Sequence, residues 1–177
     1  MLLGGLAAGV VCGRMLPPIA AALIGSTRVR AGGDPFARLI EDHRQIVSLL
    51  DQMAVARADS TMRRARLFLM LKRKLAKHAL AEEDVVYPTV HNDSAEGDER
   101  KHLYDEHADM KILLFEIENL LKDGEEWNAA VLPLRELVRR HVDEEERTIF
   151  PELRRELTAS KRPKVSGQIS REEALIV

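Results

Sequence analysis

The chain has a single cysteine, Cys12. No intrachain disulfide can form, and thiolate-built zinc or iron–sulfur sites are excluded. Aromatic residues are scarce, at 4%, too few for a platform on which bases stack. There is no basic surplus, since Lys+Arg 27 against Asp+Glu 29 leaves a net charge of −2. Nucleic-acid-binding domains carry such a surplus, so nucleic acid is not an expected partner. No Gly-rich phosphate loop stands out. No segment of the central region alternates apolar and polar residues with period two, which removes the case for a sheet. What remains is a chain of 177 residues that is 45% apolar and 32% charged, enough for one domain with a real core. Any metal it binds must be held by imidazole and carboxylate, and the chain has six histidines and many glutamates.

Composition divides the chain. Residues 1–26 are apolar and rich in Gly and Ala, with one charge at Arg14; residues 27–33 form a short basic linker. Residues 34–158 interleave apolar and charged residues at helical spacing, and residues 159–177 form a polar tail, read as loose. The central region reads as four helices. The first opens at Asp34-Pro35, a capping residue before a first-turn proline, and runs to about Ala56. The second runs from near Asp59-Ser60 to Tyr87, before Pro88. A polar loop, Thr89 to Glu99, leads to the third, from Arg100 to Lys122, with Asp123-Gly124 as its stop signal. The fourth starts near Glu126 or at Pro133 and ends around Leu157. Four helices with short connections predict an all-α, up-down-up-down four-helix bundle.

Each helix carries an apolar stripe at spacings of three and four, the face that should meet the core. The stripes read Phe36, Ile40, Val47, Leu50, Ala54; Leu67, Leu71, Leu75, Val85; Leu103, Met110, Leu114, Ile117, Leu121; and Leu134, Val138, Thr148. Every stripe is interrupted by a histidine: His43, His78, His107 and His141. In the second and fourth helices a glutamate follows four residues later, Glu82 and Glu145, on the same helix face. Six ionisable groups thus occupy positions where a plain bundle has Leu. A lone histidine there is ordinarily a hydrogen-bonded core residue. Six such groups left uncompensated would cost several kcal/mol for each charge buried, against a total stability of about 5–15 kcal/mol. A cation coordinated by all six compensates them directly.

An internal repeat sharpens the pattern. HALAEEDVVYP, from His78, aligns without gaps on HVDEEERTIFP, from His141, and upstream Asp42-His43 matches Glu106-His107. The bundle is therefore two similar hairpins, each bringing two His and one Glu to one place. Four imidazoles and two carboxylates exceed the needs of one tetrahedral ion. They suit two metals with two imidazoles each and both carboxylates between them, a donor set suited to Fe and also to Zn, Cu or Ni.

The order His, HxxxE, His, HxxxE with a Tyr/Phe-Pro ending resembles the hemerythrin-like HHE cation-binding domain family over about residues 35–157. The resemblance implies two non-haem iron ions joined by an oxo or hydroxo bridge. It makes His43, His78, His107 and His141 terminal ligands and Glu82 and Glu145 bridges. Oxygen-carrying members have a fifth histidine four residues from another on the third helix. Here the positions four from His107 are Leu103 and Lys111, and His102 is five away, turned by about 140°. That departure favours the family's other uses: binding or reacting with dioxygen, peroxide or nitric oxide, or sensing iron and oxygen. The alternatives are a peroxide- or oxygen-reducing enzyme and an iron store or donor for metal-centre repair. Ferritin-like bundles use Glu-x-x-His instead, the reverse order at a different spacing.

Around the ligands, Tyr104 reads as a flanking helix residue, His91 and His102 as solvated, and Glu83, Glu144 and Glu146 as a charged outer face. Cys12 reads as a small apolar residue. In residues 1–26, Arg14 leaves uncharged runs of thirteen on each side, short of the roughly 20 residues a spanning helix needs, and Pro17-Pro18 breaks the second. Gly5, Gly9 and Gly13 permit close helix approach. A self-associating or membrane-surface helix ranks first, a true anchor second and a cleaved signal third. If the segment is inserted, Arg28 and Arg30 would keep the bundle cytoplasmic.

Overall fold

The computed structural model describes residues 34–57, 59–90 and 96–176. The readings placed on residues 1–33, including Cys12 and the GxxxG steps, and on His91 lie outside the described residues. The helices are α1 (Ala37–Ala54), α2 (Thr61–Ala81), α3 (Glu96–Asn119), α4 (Gly124–Glu144), α5 (Phe150–Glu156) and α6 (Arg162–Glu173).

The expected bundle is present, and its direction follows from which core each helix end joins. Two apolar clusters are stacked along the bundle. One holds Leu50, Met53, Leu67, Leu71, Ile117, Trp127 and Leu134; the other holds Phe36, Leu39, Val85, Leu103, Ile149 and Phe150. Helices α1 and α3 start in the second cluster and end in the first, whereas α2 and α4 run the opposite way. The bundle is therefore up-down-up-down, with the four histidines in the layer between the clusters. Packing is close between α1 and α2, α1 and α4, and α3 and α4, and sparse between α2 and α3.

Both HxxxE motifs end in the same backbone deviation. The segments Glu82–Val86 and Glu145–Ile149 are π-helical, a widened turn often found at functional sites. Tyr87 N–H donates to Glu82 O and Phe150 N–H to Glu145 O, each five residues back. Pro88 and Pro151 follow, and neither can donate an N–H to continue the ladder. The widened turn shifts the register by one residue. Thr148, expected on the core face, is exposed, and Ile149 takes its place. In α1 the buried residues are Leu39, His43, Ile46, Leu49, Leu50 and Met53; Ile40, Val47 and Ala54, assigned to the stripe, flank them half-buried.

The third helix differs from expectation at both ends, since α3 starts at Glu96 rather than Arg100 and ends at Asn119 rather than Lys122. Asp123-Gly124 begins α4 rather than ending α3, because the Asp123 carboxylate accepts from Glu126 N–H at 3.2 Å, an N-terminal cap. Pro133 lies inside α4. The polar tail folds as α6, which buries Val165, Ile169 and Glu173 against the α2 side of the bundle. Its apolar residues recur at four-residue spacing, so one face can leave water despite the polar composition. No helix among the described residues is long and apolar enough to cross a membrane.

Candidate metal centre

All six ionisable residues on the apolar stripes are buried and converge on one layer: His43, His78, Glu82, His107, His141 and Glu145. They form two groups sharing a carboxylate, His43, His78, Glu82 and Glu145 in one, and Glu82, His107 and His141 in the other. In the first, Glu82 Oε1 lies 3.0 Å from His78 Nε2 and 3.6 Å from His43 Nε2, and Glu145 Oε2 lies 3.2 Å from His43 Nε2. In the second, Glu82 Oε2 is 3.5 Å from His107 Nε2, and Glu145 Oε1 is 3.5 Å from His141 Nε2. The two Nε2 atoms there are 3.2 Å apart. Each carboxylate thus turns one oxygen toward each pair of imidazoles. Two donors each about 2.1 Å from one cation sit roughly 3.0–4.2 Å apart, the range seen in both groups.

The donor set fits a metal on a second count. His43 Nε2, His78 Nε2, both oxygens of Glu82 and Glu145 Oε2 are buried without a hydrogen-bond partner. Buried polar atoms are ordinarily satisfied, and each exception calls for an explanation. Here five such atoms face one centre.

Three of the imidazoles are oriented from behind. His43 Nδ1 donates to Glu146 Oε1 at 2.8 Å, His107 Nδ1 to Glu83 Oε1 at 2.9 Å, and His141 Nδ1 to Glu106 Oε2 at 2.7 Å. An ionised carboxylate only accepts, so each Nδ1 carries the proton and each Nε2 is turned inward. Such outer carboxylates are characteristic of metal-bound histidines. Glu83 and Glu146 therefore do not belong to a merely charged outer face. The signal for them lay in the repeat, which places a glutamate five residues after each HxxxE histidine. His78 is the exception, since its Nδ1 has no partner. The residue equivalent to Glu106 is Asp42, one methylene shorter, and its Oδ1 accepts from Lys74 Nζ at 2.6 Å.

Burial pulls the His43 and His107 imidazoles down, but hydrogen bonds and charge from the surrounding glutamates outweigh it and raise them to about 10 and about 9. Burial pushes the Glu82 carboxyl up, and His78, His107 and His43 more than reverse this, holding it well below the usual range.

Tyr87, read only as the closing aromatic of its motif, belongs to the site. Its hydroxyl donates to Glu145 Oε1 at 2.8 Å and lies 3.1 Å from His107 Nε2 and 3.3 Å from His141 Nε2. In the other half the equivalent residue is Phe150, stacked on His43 with ring centroids 5.8 Å apart. The two metal-sized groups are therefore chemically unequal. Tyr104 supports this region, with its ring edge-on to Tyr87 and its hydroxyl donating to Glu83 O at 2.8 Å. That carbonyl is left free where Pro88 interrupts the ladder. His102 is more than half exposed.

An apolar cavity of about 270 Å³ reaches the layer between α2 and α3, where the bundle is least closely packed. Leu75, Met110, Leu114 and Val138 line it, all four histidines border it, and Lys72, Lys111 and Glu118 stand at its mouth.

Residues 34–153 match the Hemerythrin HHE cation binding domain. The chain belongs to this hemerythrin family. Among curated proteins, a DNA nickase of Nostoc sp. is 32% identical over 120 residues, covering 68% of this chain. The chain spans only 33% of that relative's length. No solved structure matches it significantly. Membership of the hemerythrin family implies cation binding, and the buried His/Glu layer, with its unsatisfied donors, could hold the ion.

Proposed function

We propose that this hemerythrin-like chain holds two non-haem iron ions, with His43 and His78 on one, His107 and His141 on the other, and Glu82 and Glu145 between them. The observation that carries the reading is the split of each glutamate, one oxygen toward each imidazole pair. Iron bound there supplies one-electron chemistry and open positions, because six side chains do not saturate two six-coordinate ions.

The centre's use is to bind or react with dioxygen, peroxide or nitric oxide, or to report iron and oxygen. The cavity supports this over storage alone, since it offers small apolar ligands a route to the imidazoles. The chain's own residues exclude bulk water there through Leu75, Met110 and Val138, and the Tyr87 hydroxyl holds a proton at Glu145 Oε1. Nicking activity is not extended to this chain. The shared part is a third of the nickase, and a net charge of −2 supplies no surplus for phosphates.

The test is to mix the di-ferrous protein with air and follow its visible spectrum. Oxidation without a reversible phase is expected, given the missing fifth histidine. A spectrum that forms with air and vanishes on deoxygenation would make the protein a carrier. No reaction at all would leave an iron store or donor as the better reading.

A further inference from the structure

A second group of metal-ligating side chains lies outside the buried layer. His102 and Glu106 are one turn apart on α3, and Glu144 faces them from α4. His102 Nε2 is 3.6 Å from Glu106 Oε1 and 3.6 Å from Glu144 Oε2, too far for hydrogen bonds and the right span for two donors on one cation.

The Glu106 carboxylate is the unusual member. Its side chain is only 8% exposed. Oε2 accepts from His141 Nδ1, whereas Oε1 lies 3.6 Å from His102 Nε2. A carboxylate oxygen turned toward an imidazole nitrogen it does not bond, with a second carboxylate at the same 3.6 Å from that nitrogen, is arranged for a cation.

The internal repeat gives independent support. In the first half the equivalents of His102, Glu106 and Glu144 are Arg38, Asp42 and Ala81. There a guanidinium, Arg38, supplies the positive charge and pairs with Glu173 of α6. In the second half an imidazole stands at the same place, and Glu144 adds a carboxylate that the first half lacks.

We propose that His102, Glu106 and Glu144 form a separate, solvent-facing site for a borderline divalent cation such as Zn²⁺, Co²⁺ or Fe²⁺. One imidazole and two carboxylates select such ions over Mg²⁺ or Ca²⁺, which take oxygen donors. Glu106 joins this site to the buried layer. An outer cation draws charge from the carboxylate that orients His141, so occupancy outside is felt inside.

The experiment uses full-length protein loaded with iron, oxidised, and analysed for iron before anything is added. Co²⁺ is then titrated in, following its d–d absorption and the visible bands of the iron. The expected result is one further equivalent of Co²⁺ with a small shift of the iron bands. Both are lost in His102→Ala and in Glu144→Gln, which keep the wild-type iron content. No further equivalent, or one that persists in both variants, overturns the proposal. Should the protein take up no iron, the buried reading fails separately. Total Co²⁺ binding then decides the outer site, through the loss or retention of one equivalent in the two variants.

Discussion

Glu83, Glu106 and Glu146 sit behind the imidazoles rather than at the centre, and their effect passes through three hydrogen bonds of 2.7–2.9 Å. Replacing Glu83 or Glu146 with Gln is expected to weaken iron binding about 10–100-fold, with the fold kept. Glu41→Gln, on the exposed side of α1, is the control. Competition against a chelator of known affinity measures this, and equal affinities in all three variants would mean that the outer carboxylates do not act on the centre. Tyr87→Phe converts one half into the likeness of the other. It should keep both irons and change their visible spectrum, because only the hydroxyl near His107, His141 and Glu145 is lost. Far from the centre, Arg64 is fully buried and donates to the carbonyls of Arg57 and Leu121, with its guanidinium 5.7 Å from the Trp127 ring. Arg64→Ala leaves those acceptors unpaired, and it should cost about 2–4 kcal/mol in chemical denaturation without changing the iron content. The six central residues were legible because ionisable groups on an apolar stripe stand out. For the outer glutamates the repeat marks Glu83 and Glu146 as matching positions, but each outer glutamate reaches a histidine on another helix, a relation that spacing along one helix does not carry.

At the scale of elements, the repeat disclosed the two hairpins, and helical periodicity found α1 to α4. It did not disclose the widened turns at Glu82–Val86 and Glu145–Ile149. A regular stripe extrapolated through such a turn is wrong by one residue afterwards, which is why Thr148 was expected where Ile149 is buried. Composition also concealed α6, whose buried face is only a few residues wide. That helix carries a pH-dependent element. Burial raises the Glu173 carboxyl to about 7, with Arg38 opposing and Asp42 adding to the rise. The folded protein then holds a proton that the unfolded chain releases above its ordinary value of 4.5. Stability from this group is full below about pH 4.5 and declines as pH rises toward 7. Glu173→Gln should therefore melt higher relative to wild type at pH 8 than at pH 5. Thermal unfolding of both proteins across that range checks it, and a pH-independent difference would count against the assignment.

For the molecule as a whole, every central ligand lies after residue 33 in the sequence, and among the described residues two apolar clusters flank these ligands. Protein lacking residues 1–33 should fold and load metal like the full chain, as circular dichroism and metal analysis would show. The account rests most heavily on Glu82 and Glu145 each serving two metals. The most direct measurement is the iron content per chain after anaerobic loading and removal of excess iron, in the wild type and in Glu82→Ala and Glu145→Ala. Two irons per chain in the wild type, with marked loss from both variants, is the predicted result. One iron or none in the wild type, or a wild-type content in either variant, would contradict the two-metal centre.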